Sequence, residues 1–190
     1  MSRSRSREMD LTTGSPFWSL LKFAIPVILG NLFQLFYTLA DSVIVGKTLG
    51  AESLAAVGST SIIIYFVFCF INGFTGGFGI CLGQRCGAKD EQGMRKSIAV
   101  STLLSIAFTV VLTLVCCLLS RQILVWMQIP DDISEEANAY MFVVLLGTGA
   151  TVFYNMISNM LRALGDSKTP LYFLVFSSVL NTILDIVFIV

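Results

Sequence analysis

PVILGNLFQLFYTLADSVIVG, residues 26–46, is long and apolar enough to lie in a membrane, yet it carries polar side chains. These side chains belong to Asn31, Gln34, Thr38 and Asp41. On a helix with about 3.6 residues per turn their spacing places them along one face, as a polar stripe that ends in a carboxylate. Ionisable groups inside membrane spans are costly and usually functional. The stretch therefore predicts a membrane helix with a functional acidic residue.

The composition is that of an integral membrane protein. Of the 190 residues, 55% are hydrophobic and 13% are charged, and the mean hydropathy is +0.82. Soluble domains have about 25% charged residues. The formal net charge is zero and histidine is absent, which disfavours nucleic-acid binding and histidine-based catalysis. The five cysteines lack the paired spacing of a zinc site. We therefore expect no enzyme activity, no organic cofactor, no resident metal and no nucleic-acid partner.

Apolar segments separated by short polar links predict an all-α polytopic helical bundle embedded in a lipid bilayer. The five predicted spans are residues 17–45, 54–83, 97–119, 138–164 and 171–190, after a cytoplasmic tail of residues 1–16. Residues 120–137 are predicted to form a surface helix and a turn. GDSKTP, residues 165–170, predicts a turn between the fourth and fifth spans, with Gly165 after one helix and Pro170 at the start of the next. Because the sequence is still apolar at Val190, we expect a fragment cut within the fifth span.

Glycines in the second span are spaced for close helix packing. Gly73 with Gly77, and Gly79 with Gly83, form two GxxxG pairs, which allow a neighbouring backbone to approach closely. Flexibility for gating is the alternative, and packing is favoured. In the first span, Pro26 predicts a kink because proline cannot donate the helical hydrogen bond.

Two amides in the fourth span lie one turn apart on a single helix face. They are Asn155 and Asn159. Hydrogen bonding between helices and contact with a ligand explain this pair about equally well.

Basic residues lie mostly on one side of the predicted spans. That side has Arg3, Arg5, Arg7, Lys22, Arg85, Lys89, Arg95, Lys96, Arg162 and Lys168. The opposite side has only Lys47 and Arg121. Cytoplasmic loops are enriched in Lys and Arg, so this bias predicts a multi-pass protein of the cell membrane with a cytoplasmic N-terminus.

The acidic residues inside the predicted spans are Asp41 and Asp185. The first and fifth spans should run in the same direction, and Asp41 follows Lys22 by 19 residues while Asp185 follows Lys168 by 17. Both carboxylates are therefore expected roughly 25 to 29 Å from the cytoplasmic edge. Asn181 lies one turn before Asp185 on the same face.

A matched pair of intramembrane carboxylates favours a coupling site. An aspartate that faced lipid would cost at least about 2.5 to 3.5 kcal/mol, so the two should face each other or a cavity. Repulsion and desolvation would then favour binding of a proton or a sodium ion. Cation loading that changes the favoured conformation is what an antiporter requires. The alternative is that each aspartate only forms hydrogen bonds between helices.

Several stretches together resemble the multidrug and toxic compound extrusion (MATE) family. They are PVILGNLFQLFYTLADSVIVGKTLG (26–50), GAKD (87–90), RALGDSKTP (162–170) and LNTILD (180–185). The resemblance implies a transporter of twelve helices in two lobes. The present residues would supply five of the six helices of the N-terminal lobe, and the missing C-terminal lobe of the same chain would be their partner. Two positions depart from the family pattern: Ser42 stands where Thr is common, and Ile186 where Pro often follows the second aspartate.

The resemblance also implies roles for individual residues. Asp41, Asn181 and Asp185, together with Tyr140, would line the cation-coupling cavity, and Pro26 would be a hinge whose bend is linked to protonation. The coupling ion would be H+ or Na+, and a Na+ ion could bind at the two aspartates and Asn181. The polar stripe and the amide pair add candidates for lining the cavity or contacting substrate: Asn31, Gln34, Thr38, Asn155 and Asn159.

The predicted function is secondary active multidrug efflux, in which organic cations or amphipathic drugs are exchanged for H+ or Na+. Aromatic and Met side chains would hold such substrates through apolar and cation-π contacts. A flippase for lipid-linked oligosaccharide or polysaccharide, from the same superfamily, is the main alternative, and it would need a more basic cavity. An intramembrane aspartyl protease is a distant alternative because its Tyr-Asp and Gly-x-Gly-Asp motifs are absent. The last alternative is a scaffold that transports no substrate.

Overall fold

The described part of the chain is built from α-helices. The structure is a computed structural model in which residues 15–48 and 50–189 are described. The helices are α1 (Pro16–Thr48), α2 (Ala51–Gly87), α3 (Glu91–Trp126), α4 (Asp131–Leu146), α5 (Thr148–Ala163) and α6 (Lys168–Ile189). This architecture confirms the predicted all-α class.

Helix α2 runs alongside α4 and α5 in the same direction. Near their starts, Ser53 Oγ of α2 donates to Glu136 Oε1 of α4 at 2.6 Å. Towards their other ends, Asn159 Nδ2 of α5 donates to Thr75 Oγ1 of α2 at 3.2 Å. The order of these contacts is the same along both partners, so the helices are parallel.

Helix α3 runs in the opposite direction to α4 and α5. Three polar contacts join it to them, in reversed order along the two partners. They are Ser120 with Asn138 at 3.2 Å, Thr113 with Thr148 at 2.9 Å, and Ser105 with Met156 at 3.1 Å. Side chains from α2, α4 and α5 fill the space between these elements. The fully buried ones include Ile71, Leu82, Met141, Leu145 and Val152.

Helices α1 and α6 form a separate pair beside this four-helix core. Helix α1 packs mainly against α6 and has a smaller contact with α2. At that smaller contact an ideal Cβ on Gly46 would lie 3.2 Å from Leu54 Cδ2, which shows that α2 folds back on the end of α1. Helix α6 has a small contact with α5. The α1–α6 pair is thus held to the rest of the lobe mostly near its ends.

Short capped links fix where the helices begin. Asp90 Oδ1 accepts a hydrogen bond from Gly93 N at 2.8 Å, as expected for an N-cap of α3. Before α6, the Asp166 carboxylate accepts from the backbone amides of Lys168 and Thr169 at 3.1 and 3.0 Å. Gly165 has φ 89°, a conformation that glycine adopts without strain. The GDSKTP turn read from the sequence is confirmed.

Of the surface helix and turn predicted for residues 120–137, the turn is confirmed at residues 127–130, whereas the separate surface helix is wrong. Helix α3 continues to Trp126, and α4 already begins at Asp131 after a short turn. The reason is burial: Leu124, Ile133 and Ala137 are all buried in the core, so both helices continue beyond the apolar runs. The charged residues of this stretch occupy only the exposed sides of the two helices.

The predicted fourth span is broken into two helices. Helices α4 and α5 meet at Gly147 with a bend of 42°. By length and composition, α1, α2 and α3 could each cross a membrane, and the bent pair would make a fourth span. Within the described residues α6 is apolar but shorter. The count of five spans therefore stays a prediction.

The two GxxxG pairs of α2 differ in whether another helix lies close to them. An ideal Cβ on Gly79 would lie 3.1 Å from Asn159 O, and one on Gly83 would lie 3.8 Å from Ala163 Cβ. Gly73 and Gly77 have nothing within 4 Å of such an atom among the described residues. The packing interpretation is therefore confirmed for Gly79 and Gly83, which bring α2 and α5 together.

Candidate functional site

The two intramembrane acidic positions lie on helices that pack against each other. Asp41 belongs to α1 and Asp185 to α6. The structure describes the positions of Asp41 and Asp185 along these helices, and their side chains lie outside the described part.

Helices α1 and α6 meet at a small residue of α1. Gly30 is buried, and an ideal Cβ on it would lie 3.5 Å from Leu174 Cδ2 and 3.6 Å from Leu171 Cδ1. Helix α1 ends where α2 begins, and α6 starts after α5, which ends beside the end of α2. We infer that α1 and α6 run in the same direction.

The register of this contact relates the two acidic positions. Asp41 follows Gly30 by 11 residues, and Asp185 follows Leu174 by the same number. Eleven residues correspond to about 16 Å along a helix and return to within about 20° of the starting face. Leu171 contacts Gly30 almost as closely and precedes Asp185 by 14 residues. From the two contacts we infer that positions 41 and 185 lie within about one helical turn of the same level, close to the faces by which the two helices meet.

Asn181 adds an oxygen to the same face of α6. It lies seven residues after Leu174 and four before Asp185, so all three positions share a face. Its side-chain Oδ1 is buried and has no hydrogen-bond partner among the described residues. A buried acceptor without a donor costs about 1 to 3 kcal/mol, so this oxygen is available to a proton donor or a cation.

The polar stripe of α1 is only partly directed at this contact. Asn31, Gln34 and Thr38 are exposed, and Thr38 Oγ1 donates to the Gln34 carbonyl at 3.0 Å within its own helix. Asn31 and Thr38 lie about 80 to 100° around α1 from Gly30, given about 100° per residue. The structure therefore does not bring Asn31 and Thr38 to the meeting face of α1 and α6.

The amide pair of α5 is engaged in helix structure. Asn159 hydrogen-bonds Thr75 of α2, as described above. Asn155 Nδ2 donates to the Thr151 carbonyl one turn earlier at 2.9 Å. The interhelical hydrogen-bond alternative accounts for Asn159, and contact of either amide with a substrate stays a prediction.

Tyr140 and Pro26 lie in different parts of the lobe. Tyr140 is on α4, and among the described residues α4 packs against neither α1 nor α6. The role of Tyr140 in the cation-coupling cavity stays a prediction. Pro26 lies inside α1, which continues as a helix on both sides of it. The predicted kink at Pro26 stays a prediction.

Gly30 is the site residue that the sequence reasoning missed. Its burial against α6 makes it the reference point for both acidic positions. The signal was present in the sequence, because a glycine three turns before an aspartate on the same helix face favours a close contact beside that aspartate.

Comparison with known proteins identifies the family. The MatE family profile matches residues 26–187. The probable multidrug resistance protein YpnP of Bacillus subtilis (strain 168) is 35% identical over 180 residues, which are 95% of this chain and 40% of that protein. The chain thus spans about 40% of the length of this relative.

Solved structures agree with this assignment. The crystal structure of a MATE protein in the bent conformation matches with a TM-score of 0.85 and 31% identity, covering 93% of this chain and 39% of that one. A multidrug resistance MATE transporter in its outward-facing conformation matches with a TM-score of 0.87 and 30% identity, over 93% and 39% of the two chains. The chain is a multi-pass membrane protein, and it belongs to the MatE family.

Proposed function

We propose that the protein containing this lobe is a secondary active exporter that exchanges organic cations or amphipathic drugs for H+ or Na+ across the cell membrane. The single observation that carries the proposal is the register of the α1–α6 contact. It relates Asp41 and Asp185 by equal spacings from the Gly30–Leu174 contact. The excess of basic residues in the links that would be cytoplasmic supports an N-terminus inside the cell.

The chemistry of coupling follows from placing two acids near one level of the contact between α1 and α6. Two negative charges at one level repel each other, and this repulsion weakens the packing of α1 on α6. A bound proton or Na+ ion removes the repulsion, and the buried Asn181 oxygen offers an additional ligand. Cation binding and close packing of α1 on α6 would then favour each other, as linkage requires.

Helix α1 can change its packing while the four-helix core keeps its structure. Helix α1 is held mainly by α6 and only weakly by α2, so a change in its packing disturbs little of the four-helix core. Pro26 lies four residues before Gly30 and leaves the carbonyl one turn earlier without its helical partner. We propose that α1 bends at Pro26 when the acidic pair loses or gains its cation.

A flippase of the same superfamily is the second candidate. A transporter from Pyrococcus furiosus, for which a reversed polarity of the binding pocket suggests a different function, matches with a TM-score of 0.87 and 31% identity over 93% of this chain and 39% of that one. A pocket that holds phosphate needs cationic side chains. The α1–α6 contact instead has acidic positions, which favours exchange of cations.

The test is export of a fluorescent cationic dye from vesicles under an imposed pH or Na+ gradient. Asp41→Asn and Asp185→Asn should each reduce gradient-driven export by about tenfold, within the usual range of coupling between sites. The matched control is Asp132→Asn, which removes the same charge from an exposed position in the first turn of α4. Export that both Asn variants retain at the level of the control would overturn the proposal. The gradient that supports export identifies the coupling ion.

A further inference from the structure

A cleft opens between the end of α2 and the start of α3, away from the α1–α6 contact. Its volume is about 570 Å³. Cys81 and Val100 lie at the end of the cleft nearer the middle of the two helices, and polar residues line the rest. The cleft therefore joins an apolar end to a polar end within a few helical turns.

The cleft carries a net positive charge, because one of its two cationic side chains is not paired with its single carboxylate. Its charged residues are Arg85, Asp90 and Lys96. Both carboxylate oxygens of Asp90 are engaged, Oδ1 by Gly93 N at 2.8 Å and Oδ2 by Arg85 Nη1 at 3.1 Å. Lys96 has no hydrogen-bond or ion-pair partner among the described residues and is exposed. Its ammonium group and the remaining guanidinium donors of Arg85 are available to an anion.

Neutral hydrogen-bond donors accompany these two cations. The side chains of Gln84, Gln92 and Ser97 also line the cleft. Lys96 and Ser97 stand at the boundary between the polar α2–α3 link and the apolar run that follows it. A phosphate held here would lie at the level of lipid headgroups, with the apolar end of the cleft beside the acyl chains.

We propose that this cleft binds the phosphate headgroup of an anionic phospholipid, with Lys96 as its main charge contact. Two cationic side chains, together with amide and hydroxyl donors, suit a phosphate group. The net positive charge of the cleft favours an anionic lipid over a neutral one. Basic pockets between helices on the cytoplasmic side of a membrane are a known type of lipid site. The inference is independent of the proposed transport function, since none of its residues lies at the α1–α6 contact.

Titration of the delipidated protein with defined lipids tests the proposal. Dioleoylphosphatidylglycerol and dioleoylphosphatidylcholine are added separately in non-ionic detergent, and native mass spectrometry counts the bound lipids. We expect preferential binding of phosphatidylglycerol. Lys96→Gln should weaken that binding by about fivefold, the value of one cationic side chain at a membrane surface.

The matched control is Arg95→Gln. Arg95 is the neighbour of Lys96, is also exposed and carries the same charge, but it does not line the cleft. It should leave phosphatidylglycerol binding within about twofold of the unmodified protein, because it lies outside the site. Equal losses in both variants would indicate general surface attraction and overturn the proposal, as would no loss in either.

Two further outcomes would also contradict it. Equal binding of phosphatidylcholine would show that the phosphate charge is not recognised, since its headgroup is neutral overall. Displacement of bound phosphatidylglycerol by inorganic phosphate at equal concentration would show a site for a free anion. Unchanged thermal unfolding of Lys96→Gln in detergent confirms that a loss of lipid comes from the site and not from misfolding.

Discussion

Replacing Gly79 by Ala should destabilise the packing of α2 on α5. The new Cβ would lie 3.1 Å from Asn159 O, 3.3 Å from Asn159 Cβ and 3.4 Å from Asn159 C. All three atoms belong to the backbone or the base of a side chain, so no flexible group can turn away. Helix α5 must instead move by a few tenths of an ångström along its contact with α2.

The expected change in the free energy of unfolding combines three contributions. Overpacking a well-packed contact costs about 1 to 3 kcal/mol. Movement of α5 also stretches the 3.2 Å hydrogen bond from Asn159 to Thr75, one turn before Gly79, which in membrane proteins is worth about 0.6 kcal/mol on average. Alanine returns about 1 kcal/mol because it favours helix more than glycine does. The net free energy of unfolding should fall by about 0.6 to 2.6 kcal/mol.

Thermal unfolding of the purified protein in detergent measures this change. Gly77→Ala is the matched control, because its Cβ would meet no atom within 4 Å among the described residues and should cause no loss of stability. Gly83→Ala should be tolerated, since its Cβ would make an ordinary contact at 3.8 Å with Ala163. If Gly79→Ala were as stable as Gly77→Ala, the close α2–α5 contact would be refuted.

Two further changes test contacts elsewhere in the lobe. Asn159→Leu removes the hydrogen bond to Thr75 and should lower the free energy of unfolding by about 0.6 to 1.7 kcal/mol in the same assay; unchanged stability would show that this bond contributes nothing. Asp90→Ala removes the cap on Gly93 N and the ion pair with Arg85, so it should cost about 1 kcal/mol and speed hydrogen exchange in the first turn of α3. Exchange that stays as slow as in the unmodified protein would contradict the capping role.

The sequence was sufficient for features that depend on local patterns. The apolar runs predicted where helices lie, and the GDSKTP stretch predicted the turn before α6. The close packing at Gly79 and Gly83 was also predicted, because a GxxxG pair needs only one approaching backbone. In each case the physical cause lies within a few turns of a single helix.

Features that depend on which helices pack together could not be predicted from local sequence patterns. The break at Gly147 arises where α5 packs on α3, with an ideal Cβ on Gly149 only 3.2 Å from Thr109 Cγ2. Residues 120–137 look like an interfacial segment, but core contacts extend α3 to Trp126 and start α4 at Asp131, on either side of a turn.

The central claim is that Asp41 and Asp185 act as one coupling unit. The direct measurement is a double-mutant cycle on gradient-driven dye export, with Asp41→Asn, Asp185→Asn and the double variant assayed in the same vesicles. The effects of substituting residues that act as a unit are not additive. The double variant should therefore export dye as fast as the slower single variant. If the two losses instead multiply, as expected for independent sites, the shared site on α1 and α6 is contradicted.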